Sequence, residues 1–211
     1  MNFKSVILAR GGSKGIPKKN LINLKGKPLI YYSINASLKS KKIQETWVSS
    51  DSDEILSYSK SLGSHILKRP NGISKDDSKS EDALDHFSKN TDFDHMVFIQ
   101  PTSPFISNIY LDEAIYVYLN GSYDSLVCVS EIHHNLWIGN KPLYNLNHRN
   151  MRQFKKEINY IETGMFYITS KRCFDKSKSR ISGNIGFYKI PYHHSFEIDD
   201  HNDLKFIEKI F

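Results

Sequence analysis

The sequence predicts an α/β fold: a mostly parallel central sheet flanked by helices. Short apolar runs alternate with longer amphipathic ones up to about residue 130, the rhythm of strands and crossover helices. The chain has 211 residues, enough for one sizeable core, with 39% hydrophobic and 25% charged residues. Near the carboxyl end, strand-like runs and a helix return and close the unit.

Taken in order, strands are expected at 5–8, 46–49, 64–67, 96–99 and 125–129. Helices are expected between them near 29–40, 51–62, 80–89 and 108–119. The second helix opens with Asp51 and has Glu54 three residues later, a capping-box arrangement in which the Asp51 side chain satisfies a first-turn amide. After residue 130 comes "EIHHNLWIGNKPLYNLNHRNMRQFKKEINY", polar, aromatic and cationic with weak periodicity. It reads as an excursion from the sheet over 131–161. Strands at 164–169 and 186–190 and a helix at 202–210 complete a single domain.

The charge balance is 29 cations against 23 anions, or +6. That excess suits a polyanionic small ligand as well as a nucleic acid. The cations are scattered without a long basic tail, so no nucleic-acid partner is expected. No apolar run approaches about 18 residues, so neither a signal peptide nor a membrane span is expected. Cys128 and Cys173 give no metal spacing and no disulfide framework, and read as reduced thiols of a cytoplasmic protein.

"ARGGSKGIPKKN" at 9–20 leaves the first strand. Ligands of open parallel sheets bind where strand carboxyl ends meet such loops. Glycines let the backbone approach closely and take up positive φ, and successive amides form an anion-binding concavity. Arg10, Lys14, Lys18 and Lys19 surround it, so a triphosphate or pyrophosphate is the expected occupant. The loop supplies neither G-x-x-x-x-G-K-[ST] nor G-x-G-x-x-G, which argues against a P-loop hydrolase and a nicotinamide dehydrogenase.

Six further stretches follow in order: "KPLIYYSI" at 27–34, "VSSDSDEI" at 48–55, "LKRP" at 67–70, "FIQPTSPF" at 98–105, "ETGMFYIT" at 162–169 and "EIDDHNDL" at 197–204. With the loop, they resemble the CMP-sialic acid synthetases, the cytidylyltransferases that activate nonulosonic acids. The resemblance covers nearly the whole chain. It implies a Rossmann-like (GT-A-like) nucleotidyltransferase fold, a homodimer built through the excursion, and dependence on Mg²⁺ or Mn²⁺. It implies that a sugar 2-hydroxyl attacks the α-phosphorus of CTP. Two anions must meet, so positioning and charge neutralisation should dominate catalysis.

By resemblance, Arg10 and Lys14 contact the triphosphate. Gly11, Gly12 and Ser13 hold the nucleotide, and Asn20 ends the loop. Arg69 lies by the cytosine or ribose, with Asp76 and Ser80 in the stretch that closes over the base. Gln100 orients the acceptor sugar, Tyr167 packs near it or simply in the core, and Arg152, followed by Gln153, reaches a neighbouring subunit's sugar site. Asp199 binds the metal with Glu197, on a strand that turns both acids to one face; Asp200 is equally suited to capping the last helix. Three departures are expected to bear on the acceptor end: Phe105-Ile106 where many members have Leu-Arg, Thr163-Gly164 for Asn-Gly, and Glu197 for aspartate. A nucleotidyltransferase for another nucleotide and sugar, or a non-catalytic nucleotide-binding relative, are the alternatives.

Overall fold

The computed structural model describes residues 1–148 and 158–211. The expected Arg152 and Gln153 lie outside the described residues. The strands are β1 (Phe3–Leu8), β2 (Asn23–Leu24), β3 (Lys27–Pro28), β4 (Glu45–Ser50), β5 (His65–Lys68), β6 (His95–Ile99), β7 (Ser125–Ile132), β8 (Trp137–Ile138), β9 (Lys141–Pro142), β10 (Asn159–Ser170) and β11 (Ile185–Ile190). The helices are α1 (Ile30–Leu38), α2 (Asp53–Ser61), α3 (Ser80–Asn90), α4 (Asn108–Asn120), α5 (Lys171–Ser177) and α6 (His201–Ile210).

Seven strands form the main sheet in the order β11-β7-β10-β6-β1-β4-β5. All pairs are parallel except those of β10, which runs antiparallel to both β6 and β7. Alternate residues of the central strands feed two cores, as a sheet covered on both faces requires. Ile7, Ile99, Cys128 and Ile168 face α1 and α4, and Val6, Phe98, Val129 and Tyr167 face α3 and α5.

β7 runs to Ile132 and β10 starts at Asn159, so both ends of the expected excursion are sheet. The β-branched and aromatic residues there extend the pairing of Asn159 with Ile132 and Ile161 with Ser130. Within 133–148, β8 and β9 form a small hairpin.

A third cluster is small but decisive for position. Ile16 of the glycine loop, Leu24 of the β2–β3 hairpin, Leu29, Ile198 and Ile207 of α6 are all buried together. Each buried isoleucine or leucine side chain contributes about 1.5–3 kcal/mol. This cluster draws the amino-terminal loop and the carboxyl-terminal acidic segment to the same end of the sheet.

Phe87 of α3 is fully buried against the sheet in the second core. Phe87→Ala should lower unfolding free energy by about 3–5 kcal/mol in urea titration. Ile109→Ala, at an exposed α4 position, should change it by less than about 0.5 kcal/mol.

Candidate active site

The loop after β1 crosses the carboxyl ends of β1 and β4. Its first glycine amide, on Gly11, donates to the Asp51 carboxylate at 2.8 Å. Asp51 is therefore not the cap of α2. Ser52 caps it instead, accepting from the Ile55 amide. The shift by one residue frees Asp51 to turn across the strand ends and clamp the loop. Lys68 holds Asp51 in place by donating to its backbone carbonyl at 2.9 Å.

Gly11, Gly12 and Gly15 all lie outside the left-handed region, contrary to the expected positive φ; Lys18 occupies it, at φ 52°. What the loop needs is space. A Cβ on Gly15 would stand 2.1 Å from the Asp199 carbonyl oxygen. Gly12 has open space at that position. No acceptor among the described residues meets the amides of Gly12 or Ser13, whereas the Gly11 amide is spent on Asp51. Asn20 is buried and donates to the Arg10 carbonyl at 2.9 Å, closing the loop from within.

These groups border a cleft of about 300 Å³. Arg10, Gly12, Ser13, Asn20, Arg69, Asp76, Ser80 and Gln100 all line it. So do Lys19, Lys75 and Lys79, with Asp76 the one acid among its lining residues. The cleft is built for negative charge.

Arg69 is 6% exposed, yet its Nε and one terminal nitrogen meet no acceptor among the described residues. Burial pulls this guanidinium below its usual range, Asp51 opposes that, and Arg10 adds to it. A buried donor left unmet costs about 1–3 kcal/mol, more when charged. Arg10 instead pairs with Asp76 at 2.7 Å, and Lys14 reaches the other oxygen of that carboxylate at 3.6 Å. Lys14 and Gly11 do not line the cleft, and Lys14 is largely exposed beside it.

The acidic segment does not line the cleft; it adjoins it through Lys19, which pairs with Asp199, and Thr102, which donates to Glu197. Residues 195–199 are irregular, not strand, so no shared strand face aligns Glu197 with Asp199. The Ile198 amide donates to the Thr102 carbonyl at 2.9 Å, fixing the segment to the "QPTSP" turn. Glu197 turns inward and accepts from the Thr102 and Ser103 hydroxyls at 3.0 and 3.1 Å. Burial raises its pKa, with Asp199 adding and the two hydroxyls and Lys19 opposing. Asp199 turns outward, is mostly exposed and pairs with Lys19 at 2.8 Å. Asp200 caps α6, accepting from the Asn202 and Asp203 amides, so it is committed to the helix.

Among the described residues, no group of three or more His, Cys, Asp or Glu side chains is placed to hold a metal. One or two carboxylates do suit Mg²⁺ when phosphate oxygens and water complete its six positions. Asp199, open to solvent beside the cationic cleft, fits that donor set. Glu197 points the other way, into the Thr102 and Ser103 hydroxyls, so the two acids do not share one face as expected.

Gln100 and Glu197 meet over Gly164. Its φ is +67°, and a Cβ there would lie 2.5 Å from the Gln100 side-chain oxygen and 2.7 Å from a Glu197 oxygen. Here β10 loses register between Glu162 and Tyr167, which opens the strand for the two side chains. Thr163 is buried and donates to the Cys128 carbonyl. Ile106 is buried in the core, and the Phe105 ring stacks on His194 at 5.1 Å, so both are packing residues. Tyr167 is buried too; its ring stacks on Phe98 and its hydroxyl donates to Glu162, so it backs the cleft wall without lining it.

Asp51, Thr102 and Ser103 belong to this constellation and were not expected in it from the sequence; Lys19 was expected as a loop cation but not as the partner of Asp199. Lys19 and Asn20 are adjacent in the loop motif, which was the available signal.

A family model described as "Cytidylyltransferase" matches residues 5–210. The chain is 33% identical over 208 residues to an N-acylneuraminate cytidylyltransferase of Oncorhynchus mykiss, covering 94% of this chain and 48% of that protein. It is 26% identical over 219 residues to a pseudaminic acid cytidylyltransferase of Campylobacter jejuni, covering 98% of this chain and 94% of that one. The chain spans about half the length of the N-acylneuraminate cytidylyltransferases it matches. A solved structure of CMP:2-keto-3-deoxy-manno-octonic acid synthetase complexed with CTP shares its fold, with a TM-score of 0.78 at 14% identity over 100% of this chain and 98% of that one.

Asp51→Ala removes the clamp and should weaken binding of inorganic tripolyphosphate roughly tenfold, read by calorimetry. Asp51→Asn keeps an acceptor for the Gly11 amide and should retain most of that affinity. Gly15→Ala should weaken binding at least as much as Asp51→Ala, because its methyl cannot coexist with the Asp199 carbonyl.

Proposed function

The chain belongs to the cytidylyltransferase family, and from that premise we propose that it activates a nonulosonic acid with CTP. The sugar 2-hydroxyl oxygen forms a bond to the α-phosphorus, the α–β phosphoanhydride bond breaks, and pyrophosphate leaves with the bridging electrons. The products are a CMP-sugar and pyrophosphate. The names carried by the matched relatives support this reading. The observation that carries it is the charge of the cleft at the strand ends: Arg10, Lys19, Arg69, Lys75 and Lys79 line it against a single acid, Asp76.

In this reading the Gly12 and Ser13 amides cradle phosphate oxygens, and Arg10 and Lys14 leave Asp76 to meet the triphosphate. Asp51 keeps the loop rigid while they do so. Ser80 and Arg69 border the nucleoside, and Asn20 holds the loop closed beneath it. Gln100, which can donate and accept, orients the acceptor hydroxyl beside the sugar carboxylate. Asp199 would hold a Mg²⁺ or Mn²⁺ ion, which when bound supplies neutralisation of triphosphate charge. The proton of the attacking hydroxyl passes toward the acidic segment beside the cleft, where the Asp199 carboxylate faces solvent.

We also assign the working unit as a homodimer, with Arg152 of the 131–161 stretch reaching the neighbouring subunit's acceptor site. The setting is the cytoplasm. No helix among the described residues is long and apolar enough to cross a membrane.

A thermal-shift panel should show CTP with Mg²⁺ raising Tm more than GTP, UTP or ATP does, since only the binding state gains by mass action. Pyrophosphate should then be released with CTP and at least one nonulosonic acid; release with none of a full panel would overturn the proposal. Asp199→Asn should lower kcat by about tenfold or more, a loss of roughly 1.4 kcal/mol in the transition state, and should shift the Mg²⁺ titration to higher concentration.

A further inference from the structure

Arg180 lies in the connector between α5 and β11, outside the short motifs quoted above. Its Nε donates to the Glu81 carboxylate at 2.7 Å, and both side chains are largely buried. Its guanidinium covers two stacked rings, 4.9 Å from the centre of Phe98 and 5.2 Å from that of Tyr167. Phe98 lines the cleft, and Glu81 follows Ser80, which also lines it. The Glu162 carboxylate, bound to the Tyr167 hydroxyl, adds attraction from β10. Burial is the largest influence and works against the charge, but Glu81, Tyr167 and Glu162 together hold the guanidinium above its usual range. One planar cation thus spans α3, β6 and β10 directly behind the cleft.

We propose that Arg180 is a positioning residue that locks the first turn of α3, and with it Ser80, against the Phe98 floor of the cleft. The proposal rests on the reading that a cytidine nucleotide occupies that cleft. The geometry asks for arginine in particular, because a lysine could pair with Glu81 but has no plane to lay on two rings. Lys178 pairs with Asp85 one turn further along α3 at 2.8 Å, but that pair is more exposed and contributes little.

The test uses the whole chain with CTP as the probe. Arg180→Met should raise the calorimetric Kd for CTP roughly fivefold or more, and Glu81→Gln should do the same from the other side of the contact. The double variant should be no worse than either single one, since both remove one interaction. Arg180→Lys should restore part of the affinity, and Lys178→Met should leave Kd within about twofold of the parent. Hydrogen exchange without nucleotide should quicken in the first turn of α3 in Arg180→Met and Glu81→Gln, and stay unchanged in β1. A folded Arg180→Met chain with parental Kd and parental exchange would overturn the proposal, as would losses that add in the double variant. If the parent chain binds no CTP, the functional reading falls, and hydrogen exchange alone then decides the role of Arg180. If Arg180→Met does not fold, Glu81→Gln carries the same decision.

Discussion

The contact between Gly15 and the Asp199 carbonyl governs the geometry of this protein's candidate site. The two residues come from opposite ends of the sequence, and a single methyl on Gly15 would push them apart. Ile16 and Ile198 hold the contact closed by burying their side chains in one small core with Leu24, Leu29 and Ile207. The Ile198 amide, bound to the Thr102 carbonyl, extends the same arrangement to the turn after β6 that carries Gln100. Apolar burial therefore sets the distance between the phosphate loop and the acidic segment, and backbone hydrogen bonds set the orientation.

On that scaffold the charges are arranged in pairs that a ligand can exchange. Arg10 and Lys14 share Asp76, and Lys19 holds Asp199. These pairs are partly open to water, so each contributes little to folding. They keep the cationic side chains gathered at the cleft before a triphosphate arrives. Arg69 differs, since burial denies it water and its neighbours offer Asp51 at a distance as the main compensation. Arg69 also lines the cleft, so its charge faces whatever anion binds there without the screening that water gives the other cations.

Much of the fold was legible because the central strands are short, apolar and separated by amphipathic segments. Five of the seven main-sheet strands were placed within two residues by that pattern; β7 runs three residues further and β10 starts five residues earlier than expected. The reversal of β10 was not, because strand direction leaves no trace in alternation; it shows only in the antiparallel pairing of β10 with β6 and β7. The start of α2 was misread by one residue, since Asp51 and Ser52 are both good caps and the sequence does not say that Gly11 needs a carboxylate. Loop residues Arg10, Gly12, Ser13 and Asn20 gather at the cleft with Arg69 and Gln100 because they sit at strand ends. Glu197 and Asp199 part company because the segment is irregular there, so the two-residue spacing carries no strand geometry. Thr102 and Ser103 became visible as partners of Glu197 only once the turn and the carboxyl-terminal segment met in space.

The central claim is that one cleft grips a cytidine triphosphate between the glycine loop and Arg69, with Asp199 at its cation edge. A crystal structure of the chain soaked with CTP and MnCl2, with anomalous scattering used to find manganese, tests it most directly. The account predicts phosphate density within hydrogen-bonding reach of the Gly12 and Ser13 amides, an acceptor atom of the nucleotide on the Arg69 guanidinium, and the manganese peak beside Asp199. Nucleotide density away from this cleft, or an ordered nucleotide that leaves Arg69 without an acceptor, would contradict it.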